Sequence, residues 1–273
     1  MQMEPKGRTL VMGVLNVTPD SFSDGGRFQH LDTALEQAVR MVREGADIID
    51  VGGESTRPFS DPASLEEELE RVIPVIEGIL QQADIPISVD TYKSAVAIAA
   101  LDAGATIVND ISALRFDPEM ARVAAEREVP VILMHMRGEP KNMQVHPHYD
   151  DVVGDIRAFF LERMEFARRQ GIPEDRIVLD PGIGFGKTVN HNLEIIRRMG
   201  EFLPLGRPLL LGSSRKSFIG KILNRDVDDR EIGTNATVAI GVYNGARIVR
   251  VHDVASAKET VLMVEAIKAG FHG

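Results

Sequence analysis

The sequence predicts an α/β chain folded as one (β/α)8 TIM barrel, and three observations point to it. Eight times a short apolar run ends on a polar residue and gives way to a helix-like segment. The runs are continuous rather than alternating, as in Ile48-Ile49, Thr106-Ile107-Val108, Val131-Ile132-Leu133 and Ile248-Val249. Such runs fit strands buried on both faces of a parallel sheet. The chain has 273 residues, close to the roughly 250 typical of one such barrel.

Strands are expected near Thr9–Thr18, Asp47–Gly53, Pro86–Thr91, Thr106–Ile111, Pro130–Met136, Ile177–Asp180, Pro208–Gly212 and Ile248–His252. Helices fill the intervals. Ser64 with Glu67 three residues later is a capping-box signal, and Asp117-Pro118 reads as an N-cap followed by proline at the first helical position. Gly45, Gly104 and Gly171 mark helix ends shortly before the next strand or its lead-in. The regular alternation contains no interdomain linker, so residues 1–273 read as one domain.

Composition narrows the function classes. A hydrophobic content of 44% with 26% charged residues describes an ordinary globular chain. No apolar run approaches the ~20 residues of a membrane span, and Met1–Thr9 has no signal-peptide core. Cysteine is absent, which removes disulfides, thiolate chemistry and zinc–cysteine sites. The expected address is the cytoplasm. A net charge of -10 argues against nucleic-acid binding. A small anionic ligand stays compatible if Arg57, Arg215, Lys216, Arg250 and His252 concentrate positive charge locally.

Barrel enzymes carry their active sites at the C-terminal strand ends. Asn16, Glu54, Asp90, Asn109–Asp110, His135, Asp180, Ser213–Ser214 and Arg250–His252 should therefore converge on one mouth. The polar stretches 16–31, 54–64 and 136–149 follow strands on that face, and long loops are often lids or binding loops. Asp90 and Asp180 each close an apolar strand, where a carboxylate is costly to desolvate without donors. Either can cap a helix, bind a metal, act as a base or pair with an amidine-like N–H edge. Together with Asn109 and Lys216 they suggest a ring of acceptors and donors for a planar heterocycle.

Asp180-Pro-Gly-Ile-Gly-Phe-Gly-Lys-Thr188 looks like a phosphate loop, but Pro181 occupies a position where that motif needs glycine. Its glycines fit either a tight turn or close passage of backbone beside a ligand that Phe185 covers. Ser213-Ser-Arg-Lys-Ser217 suits an anion or a polar ring edge at a helix start, or else a solvated basic turn. Arg250 and His252, two apart, share one side of the last strand, where barrels frequently bind phosphate. Asn16 can cap its own loop or share Mg2+ with phosphate oxygens. His135 reads as a buried, hydrogen-bonded histidine. His146 and His148, flanking Pro147, form a poor metal site.

Several of these pieces resemble the bacterial dihydropteroate synthase family. They are Asn16-Val-Thr-Pro-Asp-Ser-Phe-Ser-Asp-Gly-Gly26, Gly52-Gly-Glu-Ser-Thr-Arg-Pro58, Ser88-Val-Asp-Thr91, Asn109-Asp110, Leu133-Met-His-Met136, Leu179-Asp-Pro-Gly182, Ser214-Arg-Lys-Ser217 and Arg250-Val-His-Asp253. The match runs in order from about residue 10 to 253, and its first two motifs are very specific. Tyr92 stands where a small polar residue is expected, and Phe59 where glycine is usual, which bears on substrate contacts and on sulfonamide response.

The resemblance implies condensation of 6-hydroxymethyl-7,8-dihydropterin pyrophosphate with para-aminobenzoate, giving 7,8-dihydropteroate and pyrophosphate in folate biosynthesis. It implies that Asp90, Asn109, Asp180 and Lys216 hold the pterin, and that Asn16, Arg57, Arg250 and His252 meet the pyrophosphate, with Mg2+ shared by Asn16. Thr56, Pro58, Phe22, Asp24, Phe185, Lys216 and Ser217 would shape or close the aminobenzoate site, and Arg57 would join them. Asp90, Asp180, Lys216 and Arg250 are the expected catalytic groups. Pyrophosphate is expected to leave first, followed by amine attack, and a homodimer through late outer helices is implied by the same analogy. The rival readings are a methyltransferase acting on a methylated reduced folate and a noncatalytic pterin-binding barrel. The first has no need of the 16–26 and 56–58 loops, and the second no need of the cationic cluster.

Overall fold

The computed structural model describes residues 7–18, 27–55, 62–138, 143 and 147–270. Its strands are β1 (Leu10–Asn16), β2 (Ile48–Gly52), β3 (Ile87–Asp90), β4 (Ile107–Asp110), β5 (Val131–Met134), β6 (Ile177–Asp180), β7 (Leu210–Leu211) and β8 (Ile248–Val251). Strands β1 through β6 pair in succession and in parallel, while β8 pairs with both β1 and β7. A parallel bridge between Leu179 and Leu209 joins the remaining two edges. The expected TIM barrel is therefore the observed fold.

Helices lie between the strands: α1 (Arg27–Arg43), α2 (Leu65–Leu80), α3 (Ser94–Asp102), α4 (Met120–Glu126), α5 (Val152–Arg169), α6 (Val189–Arg197), α7 (Ser217–Leu223), α8 (Glu231–Tyr243) and α9 (Val254–Ala269). None of the described helices is long and apolar enough to cross a membrane.

The period-2 alternation of strand side chains decides what faces the barrel axis. Leu10, Met12, Ile48, Ile107, Ile132, Val178, Leu210 and Ile248 form one buried cluster inside the barrel. Burying each such side chain stabilises by about 1.5–3 kcal/mol relative to exposure, so this plug gives the mouth a firm floor. Two residues beyond four of them stand Asp50, Asn109, Asp180 and Arg250, on the same inward face and one layer nearer the C-terminal ends. Outward-facing Val11, Leu15, Ile49, Val51, Ile87, Val89 and Val108 belong instead to the larger core beneath the helices. The polar ring thus rests directly on an apolar floor.

Local signals account for most element boundaries. Ser64 and Glu67 form the reciprocal capping box at the start of α2. Gly45, Gly104 and Gly171 adopt φ of +97°, +109° and +89°, a region open to glycine without a Cβ penalty. One expectation needs correction. Asp117 does not cap a helix beginning at Pro118; α4 starts at Met120, with Glu119 as its N-cap. The Asp117 carboxylate accepts from Ser94 N at 2.8 Å and from Glu119 N at 3.0 Å. It bridges the start of α3 to the turn before α4, so a tertiary contact is added to the local one. β6 spans the expected Ile177–Asp180, and the other strands are shorter than expected.

Replacing Ser64 with alanine removes one half of the capping box, and urea unfolding should register a loss of about 1 kcal/mol.

Candidate active site

The mouth is organised by Arg250. From the middle of β8 its Nε donates to Asp50 Oδ2 at 2.6 Å and its Nη2 to Asp90 Oδ2 at 2.6 Å. Asn109 Nδ2 donates to the same Asp50 oxygen at 3.1 Å. Residues from β2, β3, β4 and β8 therefore meet in one hydrogen-bonded unit. Asp50 is fully buried, and its second oxygen has no hydrogen-bond partner among the described residues. Desolvation pulls the Arg250 guanidinium down, but Asp50 and Asp90 outweigh it and hold the group above its ordinary value. Burial pushes the Asp90 carboxyl up to about 7, against the downward pull of Arg250 and with Asp50 adding to the rise.

Asp180 ends β6 facing the same space. Its Oδ1 accepts from Gly182 N at 2.7 Å, and a Cβ added at Gly212, just past β7, would lie 3.8 Å from its Oδ2. Burial raises this carboxyl too, while Gly182 N–H, Lys216 and Arg250 lower it. Lys216 precedes α7, and its Nζ lies 4.2 Å from the centre of the Phe185 ring. Burial, aided by Arg250, brings its ammonium down to about 8, although Asp180 and Asp90 oppose that fall. The carboxylates of Asp50, Asp90 and Asp180 thus share the mouth with the cations of Lys216 and Arg250, and the opposite charges offset part of one another's desolvation cost.

Asn16 closes β1 beside Gly52. A Cβ at Gly52 would lie 3.4 Å from Asp90 Cβ and 3.7 Å from Asn16 Oδ1, so glycine keeps open the gap between these two side chains. His252, just past β8, meets Ser214 through Nδ1 and Oγ at 2.9 Å, and the same hydroxyl accepts His252 N–H. Ser217 is the exposed first residue of α7. The structure therefore brings Asn16, Asp90, Asn109, Asp180, Phe185, Lys216, Arg250 and His252 to one end of the barrel. Phe22, Asp24, Thr56, Arg57, Pro58 and the divergent Phe59 lie outside the described residues.

Tyr92, the other divergent position, donates its hydroxyl to Glu54 Oε1 at 2.8 Å and stacks edge-on against Phe116. Lys93 next to it joins Glu54 to the buried Glu68 and to the Ala63 carbonyl. The strand-end Glu54 is thereby committed to an ion-pair network rather than left facing the mouth. His135 is buried and hydrogen-bonded as expected, with Lys187 at its Nδ1. Asp110 accepts from Ser112 N and Leu114 N and so fixes its own turn.

One site residue escaped the sequence reading. Asp50 interrupts Ile48-Ile49-Asp50-Val51 in mid-strand, whereas the search fixed on strand ends. A charged residue inside a continuous apolar run is itself a signal, because it must find a partner within the barrel.

The raised Asp90 carboxyl has a consequence for stability. Between about pH 4 and pH 7 the folded chain keeps a proton there that the unfolded chain has released. Stability contributed by this group is therefore full at low pH and falls as pH rises through that window. Asp90→Asn removes the titration, so its stability relative to the parent chain should improve by about 1–2 kcal/mol between pH 5 and pH 7.5. Urea unfolding at the two pH values measures it.

Comparison with known proteins shows the family and the fold. Residues 12–252 match the family described as pterin binding enzyme. A dihydropteroate synthase of Synechocystis sp. is 52% identical over 95% of this chain and 90% of its own length. The Yersinia pestis dihydropteroate synthase, solved as a sulfonamide drug complex, superposes with a TM-score of 0.92 at 47% identity, covering 96% of this chain and 95% of that one. The Xanthomonas albilineans enzyme, solved with 4-aminobenzoic acid, gives a TM-score of 0.91 at 43% identity, covering 96% and 94%. Shared sequence along nearly the whole barrel, together with the same fold, makes this chain a member of the pterin-binding enzyme family and, within it, of the dihydropteroate synthases.

Proposed function

We propose the following division of labour for the condensation of 6-hydroxymethyl-7,8-dihydropterin pyrophosphate with para-aminobenzoate, the transferase reaction of the dihydropteroate synthases. The observation that carries it is the polar ring of Asp50, Asp90, Asn109, Asp180, Lys216 and Arg250 standing on the apolar barrel floor. A planar amino-pyrimidinone presents N–H donors along one edge and acceptors along the other. Asp90 and Asp180 accept from the first, while Asn109 and Lys216 donate to the second. Donors and positive charge arriving beside Asp90 favour its ionised form and draw its pKa back down.

Breaking the bond between the pterin methyl carbon and oxygen sends the electron pair out with pyrophosphate. The positive charge left on the pterin is delocalised into the ring, where Asp90 and Asp180 stabilise it electrostatically. The amine lone pair of para-aminobenzoate then bonds to that carbon, and the nitrogen gives up a proton to the released pyrophosphate or to solvent. Phe185 and Ser217, with Thr56, Pro58, Phe22 and Asp24, shape the aminobenzoate site. Exclusion of water there matters, because water would capture the cation first.

Arg250, His252, Asn16 and Arg57 are assigned to the pyrophosphate. Arg250, already bridged to Asp50 and Asp90, is the guanidinium assigned to meet the arriving anion. The Asn16 amide oxygen is a hard neutral donor at the rim. Such a donor fits Mg2+ completed by phosphate oxygens and water better than a cage made wholly of protein. When bound, Mg2+ would neutralise charge developing on the leaving group.

A homodimer belongs to the same reading. Ile232 (85% exposed), Ile240 and Tyr243 of α8, with Leu262, Met263 and Ile267 of α9, expose large apolar side chains on two helices that pack together. Self-association would cover them, and light scattering should give twice the 30.0 kDa chain mass. A monomer across the micromolar range would sink that assignment. The cytoplasm is the compartment we assign.

The decisive assay follows pyrophosphate release and dihydropteroate formation with and without para-aminobenzoate and Mg2+. Release should require Mg2+ and be accompanied by dihydropteroate. Asp180→Asn should lower kcat by about 100-fold, the scale of losing one preorganised electrostatic contact. Full turnover in that variant would defeat the charge-stabilisation role.

A further inference from the structure

The turn between β6 and α6 contains a buried cation that no step above uses. Lys187 is 3% exposed. Its Nζ lies 2.9 Å from Gly182 O, 2.9 Å from Phe185 O, 3.2 Å from His135 O and 3.0 Å from His135 Nδ1. Four acceptors converge on one ammonium, whose three N–H groups they share. His135 Nδ1 must then carry a lone pair, which requires a neutral ring. Burial and the adjacent Lys187 charge push the His135 pKa well below its ordinary value, in agreement with a neutral ring. Burial brings Lys187 itself down to about 7, with Asp180 opposing the fall.

The backbone round this ammonium cannot easily rearrange. Gly182, Gly184 and Gly186 all have positive φ. A Cβ at Gly182 would meet His135 O at 2.0 Å, and one at Gly186 would meet Arg137 O at 2.7 Å, so the turn lies hard against the chain following β5. Tyr149 OH donates to Gly186 O at 3.0 Å and Gly184 N to Asn192 Oδ1 at 2.7 Å, pinning the same turn from outside. Lys187 pins it from inside, at the carbonyl of Phe185, whose ring packs with Ile111, Met134, Met136 and Met143 and faces Lys216.

We propose that Lys187 is a positioning residue for the reaction, joining the carbonyls of His135, Gly182 and Phe185 so that the Phe185 ring is fixed beside Lys216 where the aminobenzoate enters. The proposal rests on the reading of Phe185 as an aminobenzoate contact. The lysine touches no substrate and acts through the aromatic ring. A residue that only stabilised the barrel would affect both substrates alike; this one acts on the second substrate.

The test compares Lys187→Met, Phe185→Leu and the double variant by steady-state kinetics, with dihydropterin pyrophosphate affinity measured by calorimetry. Lys187→Met should raise KM for para-aminobenzoate about 10-fold while kcat stays within about 3-fold and pterin affinity within about 2-fold. The double variant should be no worse than the poorer single one, because both act through the same ring. Additive losses, an unchanged KM in folded Lys187→Met, or a matching loss of pterin affinity would each overturn the proposal. If Phe185→Leu alone leaves KM unchanged, the underlying reading of Phe185 fails, and the proposal with it. Should Lys187→Met not fold, His135→Leu removes one side-chain acceptor and keeps the lysine; a rise of about 3-fold in the same KM is expected, and no rise overturns the proposal.

Discussion

Arg250 holds Asp50 and Asp90 at 2.6 Å each, and the mouth of this barrel depends on that arrangement. Two carboxylates on adjacent strands, with Asp90 in register with Gly52 two residues beyond Asp50, would otherwise repel each other in a poorly hydrated space. The guanidinium spans them with a rigid planar fork, which an ammonium could not do with the same geometry. Removing one member of such a buried group typically costs about 3–5 kcal/mol, because the remaining charge is left uncompensated. The cluster is therefore under structural as well as chemical constraint.

In the mechanism proposed above, the same arrangement serves a cationic transition state. Asp90 is held above the ordinary carboxylate range by burial, and Asp180 is shifted in the same direction. Both gain from any positive charge brought between them. Lys216 is shifted down for the matching reason, being a cation short of solvent. A site made of individually uncomfortable charges is preorganised for a ligand that relieves them, and the relief is greatest where new charge develops.

The walls round this cluster are held by groups of another kind. Lys93 joins Glu54 to Glu68, and Lys187 collects the carbonyls of the 182–185 turn. Both lysines are buried or partly buried and both serve to fix a strand-to-helix connection. Glu54 and Lys187 each look, in the linear sequence, like ligand-facing residues, one ending a strand and the other completing a Gly-Lys-Thr string. Each turns away from that role because a closer partner is available.

The sequence by itself determined the barrel and most of the polar residues of its mouth, Asp50 excepted. Continuous apolar runs mark strands covered on both faces, glycines mark the helix ends, and polar residues closing the runs must gather at one end once eight parallel strands close. Asp90, Asn109, Asp180, Lys216 and Arg250 were legible for that reason, and the long ordered match to one family supplied the substrates. Only the tertiary structure decided who pairs with whom. Asp50 binds Arg250 across 200 positions of sequence, Asp117 reaches across to Ser94, and Lys187 folds back onto His135. Periodicity and capping act over a few residues and are written locally. The partner of a buried charge is whichever opposite group the closed barrel brings within about 3 Å, and that distance exists only after the chain has folded.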